Sequence, residues 1–319
     1  MSAPTMAALA GRPLRIGTRG SALAMAQAAE VGRRFEAGLG VAPELVQIST
    51  LGDRSSGRLA DLGGQGAFVS AVRDAVAGEV VDVAVHSLKD LPTEPDARLA
   101  VAAIPVREDP RDALVARGGL SLGELPAGSR IGTGSPRRAA QLHALGLGFD
   151  VVAIRGNVDT RLKMVADGSI DAVVVARAGL LRLGRAADAT EVLDPLQMLP
   201  APGQGALAIE VSAHAEELRA LAARLIDDID TRAAVTAERA LLAELEAGCS
   251  APVGALAEVA AGDEGPELWL RGIVLAVDGS GFVRLSATGP PGDAEGLGRR
   301  LARDLLAEGA AGLAREPVG

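Results

Sequence analysis

Tyrosine is absent from this chain of 319 residues, tryptophan occurs once, and aromatic residues make up only 2%. Stacking platforms for single-stranded nucleic acid need aromatic rings, so their scarcity argues against that class. A net charge of −9 argues against a general binder of phosphate backbones. Lysine is nearly missing too: it occurs at 89 and 163 only, and the other 30 of 32 basic residues are arginine. A genome favouring Arg, Ala and Gly codons accounts for most of that bias, so the position of an arginine says more than its identity. One cysteine, Cys249, rules out an intramolecular disulfide. The three histidines are scattered, with no paired Cys or Glu at ligand spacing, so no metal site is expected. Apolar runs such as 99–106 are far too short to span a bilayer. Residues 1–12 lack the basic and apolar regions of a signal peptide, and a soluble, cytoplasmic protein is expected.

What is present is an aliphatic chain, 48% hydrophobic, long enough for two or three domains. Short β-rich runs at 14–18, 45–50, 81–85, 151–154 and 172–175 alternate with Ala/Leu helices, which predicts α/β architecture with mostly parallel sheets. The chain also echoes itself. Arg15-Ile16-Gly17-Thr18, followed by Ser21 and Gln27, resembles Arg130-Ile131-Gly132-Thr133, followed by Ser135 and Gln141. Gly78 to Val85 resembles Gly168 to Val174 in the same order, which suggests two domains of similar design. Beyond residue 230 the pattern changes to an amphipathic helix over 232–246, a Gly248-Cys249-Ser250-Ala251-Pro252 loop, strands at 253–259, 268–277 and 282–287, and a helix over 293–308. That segment reads as a small α+β domain with an antiparallel sheet.

Ser21 and Ser135 stand where helix N-caps belong. A helix start after a Gly turn presents free N–H groups and suits an anion. Arginines gather near such turns: Arg19, Arg137, Arg138, Arg155, Arg161 and Arg182. Arg137 and Arg138 oppose the dipole of their own helix, so they serve something else. Guanidinium forks match carboxylates, and five or six together imply a ligand with several of them. Lys89 and Asp90 close the apolar run ending in His86-Ser87, at a strand end where α/β proteins hold ligands. Asp90 is therefore a candidate catalytic carboxylate. Cys249, in a Gly-flanked loop, is a candidate reactive thiol.

Seven stretches together resemble the hydroxymethylbilane synthase (porphobilinogen deaminase) family: 15–21, 83–92 (VAVHSLKDLP), 107–113 (REDPRDA), 133–142, 155–162 (RGNVDTRL), 199–210 (LPAPGQGALAIE) and 246–254 (EAGCSAPVG). The resemblance implies two periplasmic-binding-protein-like α/β domains around a cleft, 1–105 with 206–224 and 106–205, and a C-terminal α+β domain over 225–319 that carries the cofactor. It implies a transferase of porphyrin biosynthesis that joins four porphobilinogen units, with loss of ammonia, into hydroxymethylbilane on a dipyrromethane primer. Cys249 matches the residue that holds the cofactor as a thioether, and Asp90 the catalytic aspartate. Ser87, Lys89, Thr133, Ser135, Arg137, Arg138, Arg155 and Gly156, with Asp90, match cofactor contacts. Arg19, Ser21, Arg155, Arg161, Arg182 and Gln204 match contacts to substrate or growing chain. The resemblance also implies a monomer with no nucleic-acid or membrane partner. It departs from the family at the loop before Phe68, where lysines often flank a Gly-Gly pair; here Asp61 and Gln65 stand around Gly63-Gly64. A flap closing by apolar contact through Phe68 is expected there. The alternative for the same architecture is a non-catalytic effector-binding protein for a small polyanion, which would need neither Asp90 nor Cys249.

Overall fold

A computed structural model describes residues 12–49, 66–245, 252–263 and 265–313, without the side chains of 66–68. The chain divides into two units. One runs to Arg107 and resumes over Ala206–Arg232; the other combines Glu108–Gly205 with the chain from Ala233 onward.

The first unit is built on five strands: β1 (Arg15–Thr18), β2 (Glu44–Gln47), β3 (Val83–Ser87), β4 (Leu99–Ala103) and β10 (Leu207–Ser212), in the order β2-β1-β3-β10-β4. Helix α1 (Ala22–Leu39) buries Gln27, Ala28, Val31, Gly32 and Phe35, a helical stripe. Ser21 caps its start by accepting from Ala24 N–H, and Gly40 ends it with φ +71°. With α6 (Glu216–Ile226) it covers one face of the sheet, enclosing Ile16, Val83, Leu207 and Leu221. Helix α2 (Gly66–Ala77) brings Val72 and Val76 against Ala84. Strand β3 is buried from Val83 to His86, which is why its sequence is a continuous apolar run rather than an alternation.

The second unit repeats the plan. Its strands are β5 (Asp112–Ala116), β6 (Arg130–Thr133), β7 (Asp150–Ala153), β8 (Ala172–Ala176) and β9 (Glu191–Val192), ordered β7-β6-β8-β5-β9. Helices α3 (Pro136–Ala144), α4 (Val158–Ala166) and α5 (Arg177–Arg182) follow β6, β7 and β8. In each sheet the Arg-Ile-Gly-Thr strand lies second and is parallel to both neighbours, and the last two pairings are antiparallel. The sheets are thus mixed, not mostly parallel as the alternation of strands and helices predicts. That alternation describes strands joined by crossover helices; β10 instead enters its sheet after the whole second sheet has been laid down.

The sequence echo has one physical job in both units. Asp82 accepts from Arg15 N–H at 2.9 Å, and Asp171 from Arg130 N–H at 2.8 Å. The same arginines donate to the carbonyls of Glu79 and Ser169. Each Asp therefore pins the start of its Arg-Ile-Gly-Thr strand to the strand beside it.

Helix α7 (Ile229–Glu244), the meander β11 (Val253–Gly262), β12 (Gly265–Leu275) and β13 (Phe282–Gly289), and α8 (Ala294–Leu305) form a further aliphatic core around Leu241, Leu268, Leu270, Leu297 and Leu301. A Cβ on Gly298 would lie 2.2 Å from Ala237 O, so glycine is what lets α8 approach α7. This sheet belongs to the second unit because Leu256, Ile273 and Leu275 share a core with Ala140 and Leu199. Among the described residues no helix is long and apolar enough to cross a membrane.

Candidate functional site

In the first unit, the sequence candidates meet at one edge of the sheet. Arg19 and Ser21 follow β1; Ser87 ends β3 and Lys89 and Asp90 follow it, and these two strands are parallel neighbours. Their C-terminal ends face the same way, the usual place for a ligand in such sheets. All five residues are half-buried. Gln27 of α1, 5% exposed, donates from Nε2 to Ser87 Oγ at 2.9 Å. Ser87 keeps its own hydroxyl proton for another acceptor. Asp90 sits at the end of the three-residue turn Leu88–Asp90, which is held in place by Leu88 at 1% and Leu91 at 3% exposure. Among the described residues its carboxylate accepts no hydrogen bond and forms no ion pair.

In the second unit, Thr133, Ser135, Arg155, Gly156, Arg161 and Arg182 lie at the C-terminal ends of β6, β7 and β8 or in the helices that follow. Ser135 caps α3 by accepting from Arg138 N–H, and its own N–H donates to Thr133 Oγ1. Arg161 donates from Nε to Gly156 O at 2.9 Å. One of its terminal nitrogens lies 3.7 Å from the place a Cβ on Gly134 would take, so the guanidinium adjoins the start of α3. Burial, and then the neighbouring Arg138, lower the pKa of Arg161. No carboxylate of the described residues pairs with it. Gly156 takes φ +105°, a conformation that favours glycine. Arg182 donates to Gly205 O at 3.0 Å.

Arg137 and Arg138 have a partner within the fold. They are 4% and 5% exposed, and both guanidiniums reach Asp112, which is 0% exposed, at 2.7 Å. Arg137 also donates to Leu199 O, and Arg138 to Val174 O. Gln204 is buried as well, and its Nε2 donates to Pro110 O and Asp112 Oδ1. These three residues therefore hold a carboxylate of the protein itself. Burial alone would raise the pKa of Asp112, but the two guanidiniums outweigh it and hold the carboxyl well below the usual range. A carboxyl depressed in the fold stabilises it above the unfolded value, about 3.9, and loses that contribution as pH falls through the range below. Asp112→Ala is expected to cost about 3–5 kcal/mol, since it strands two buried cations. Urea titration at neutral pH measures this, and a loss under about 1 kcal/mol would show that water reaches the pair.

Sequence reasoning missed Asp112, Gln27 and Glu238. Glu238, 0% exposed on α7, accepts from Gly203 N–H at 2.6 Å and Ala257 N–H at 2.8 Å. It ties the Pro-Gly-Gln-Gly segment beside Asp112 to β11. The only signal for Asp112 was its place in the 107–113 stretch. Cys249, Asp61 and Gln65 lie outside the described residues, as does the side chain of Phe68.

Comparison with known proteins bears on this arrangement. A family model described as "Porphobilinogen deaminase, dipyromethane cofactor binding domain" matches residues 14–220, and "Porphobilinogen deaminase, C-terminal domain" matches 232–307. The porphobilinogen deaminase of Nocardia farcinica is 61% identical over 310 residues, covering 95% of this chain and 88% of its own. That of Mycobacterium tuberculosis is 60% identical over 302 residues, covering 93% of this chain and 97% of its own. Among solved structures, immunogenic lipoprotein A from Vibrio vulnificus aligns with a TM-score of 0.42 at 11% identity, over 66% of this chain and 94% of that one.

Proposed function

Because the chain belongs to the porphobilinogen deaminase family, we propose that it condenses four porphobilinogen units, with loss of ammonia from each, into hydroxymethylbilane on a dipyrromethane primer held by Cys249. The observation that carries the residue assignment is Asp90. It is a half-buried carboxylate at a strand end with no partner among the described residues, whereas Asp82 and Asp112 are committed to arginines.

The donor set fits the cofactor. Dipyrromethane and porphobilinogen carry acetate and propionate groups on pyrroles that present N–H donors. The first unit offers Asp90 as an acceptor, with Lys89 and the Ser87 hydroxyl beside it. The second offers Arg161 without a carboxylate partner among the described residues, beside the capped start of α3. When bound, dipyrromethane supplies the pyrrole end that is extended.

Asp90 accepts from pyrrole N–H groups and stabilises the positive charge that develops as ammonia departs. Ser87, oriented by Gln27, donates its hydroxyl to a carboxylate of the cofactor, and Lys89 adds charge there. Thr133, Ser135, Arg137, Arg138, Arg155 and Gly156 hold cofactor carboxylates in the second unit, where Arg137, Arg138 and Gln204 also fix Asp112. Arg19, Ser21, Arg155, Arg161, Arg182 and Gln204 receive carboxylates of the substrate and growing chain. The family reading further assigns the protein to the cytoplasm as a monomer without nucleic-acid partners.

The test is intact mass together with turnover. Purified protein should exceed its polypeptide mass by one dipyrromethane and should release ammonia and a linear tetrapyrrole from porphobilinogen. An unmodified, inactive protein that still binds small polyanions would favour the effector-binding reading. Arg161→Leu is expected to raise KM for porphobilinogen about tenfold, the lower end for a charged hydrogen bond at a partly exposed site. Its thermal midpoint should stay near the parent's, because among the described residues only the bond to Gly156 is lost. Steady-state kinetics showing an unchanged KM would remove Arg161 from the substrate contacts.

A further inference from the structure

Glu210 is a carboxylate in the middle of the first unit's sheet, on β10, with its side chain 3% exposed. Two groups meet it. Arg73 of α2 forks onto it, Nε to Oε2 at 2.9 Å and a terminal nitrogen to Oε1 at 2.8 Å. His86 of β3 brings Nε2 within 3.2 Å of the same Oε2. All three residues are buried, at 9%, 6% and 2% exposure for Arg73, His86 and Glu210. The strand register explains the meeting. Glu210 stands opposite Ala84 and Ala208 opposite His86, so Glu210 and His86 are diagonal neighbours on one face. That is the face on which α2 packs. Burial would raise the pKa of the Glu210 carboxyl, yet His86 and Arg73 together hold it low.

A buried ion pair is weak evidence for stability, since apolar residues of similar volume often do as well or better. The location of this cluster suggests a further use. His86 directly precedes Ser87 and lies four residues before Asp90. After it the chain leaves the sheet into the Leu88–Asp90 turn, and Leu88 N–H donates to Ala206 O just ahead of β10. This chain segment is thus held by the β3–β10 ladder, by the Leu88 N–H bond to Ala206 just ahead of β10, and by the Glu210 side chain beside His86.

We propose that Glu210 is a positioning residue for the reaction. Through His86 it fixes the direction in which β3 delivers Ser87, Lys89 and Asp90, and through Arg73 it fixes α2 against the same strand. The proposal rests on the assignment of Asp90 given above.

The test compares holoenzymes carrying Glu210→Gln, His86→Leu, His86→Gln or Asp90→Asn by intact mass, thermal midpoint, kcat and KM. Glu210→Gln and His86→Leu should keep the cofactor mass and a KM within about threefold of the parent, and lose about tenfold in kcat. His86→Gln, whose amide returns an N–H close to the place of Nε2, should recover most of that loss. A Glu210→Gln or His86→Leu enzyme with a lower thermal midpoint but kcat within twofold of the parent would reduce the cluster to a structural one. Equal kcat in the two His86 variants would overturn the role of the polar contact between His86 and Glu210, and these two decide the matter if Glu210→Gln does not fold. Undiminished turnover in Asp90→Asn would defeat the Asp90 assignment itself. A large loss there beside a normal Glu210→Gln enzyme would defeat only the positioning role.

Discussion

Cys249→Ala protein should emerge at the mass of its bare polypeptide and release no ammonia from porphobilinogen above background. The cofactor is a thioether, and a thioether needs a sulfur; the chain holds no second cysteine to supply it. The neighbouring hydroxyl of Ser250 is a weak nucleophile at neutral pH, so rescue from the same loop is not expected. Nor should the substitution unfold the protein. The loop is bracketed by α7, anchored through buried Glu238, and by β11, where Ala255 N–H donates to Pro200 O. Neither anchor involves the thiol. Intact mass spectrometry and an ammonia-release assay read the two consequences separately. A variant that still builds hydroxymethylbilane would refute the assignment of Cys249, and one that folds but keeps the added mass would place the cofactor elsewhere.

Asp90→Asn is the second large effect. The substitution keeps the shape of the side chain and removes its charge. Because the carboxylate has no partner among the described residues, the thermal midpoint should hardly move and the cofactor mass should persist. Turnover should fall at least about a hundredfold, the scale for deleting a preorganised electrostatic partner of a transition state. The loss should appear in kcat more than in KM, because the charge that Asp90 meets exists fully only as ammonia leaves. Single-turnover measurement on the holoenzyme isolates that step. A rate within a few-fold of the parent would return Asp90 to the status of a residue in a surface turn.

Much of the candidate site could be read before any coordinates. The Gly-Thr turns followed by Ser21 and Ser135 are visible as capped helix starts, and both serines do cap. The strand ending in His86-Ser87 is visible as an unbroken apolar run, and the echo around Asp82 and Asp171 as a repeated segment. What the sequence hid was how charges are paired. Arg137 and Arg138 look like ligand arginines because they sit badly for their own helix dipole, a local argument that holds as far as it goes. A partner of both within the fold, Asp112, lies 25 and 26 residues earlier, at the start of an antiparallel strand. Gln204 reaches the same carboxylate across 92 residues.

Helix caps, turn glycines, strand runs and the identity of the lone thiol follow from the sequence alone, because each depends on atoms within a few residues along the chain. The mixed direction of the sheets does not, since β10 enters its sheet from beyond the whole second sheet and no local pattern records where a distant strand inserts. The same holds for the charge on Glu210, which lies 137 residues from Arg73. Whether such a carboxylate faces solvent, a ligand or a guanidinium is decided only when the sheet closes around it, because burial removes water and makes a partner from elsewhere in the fold obligatory.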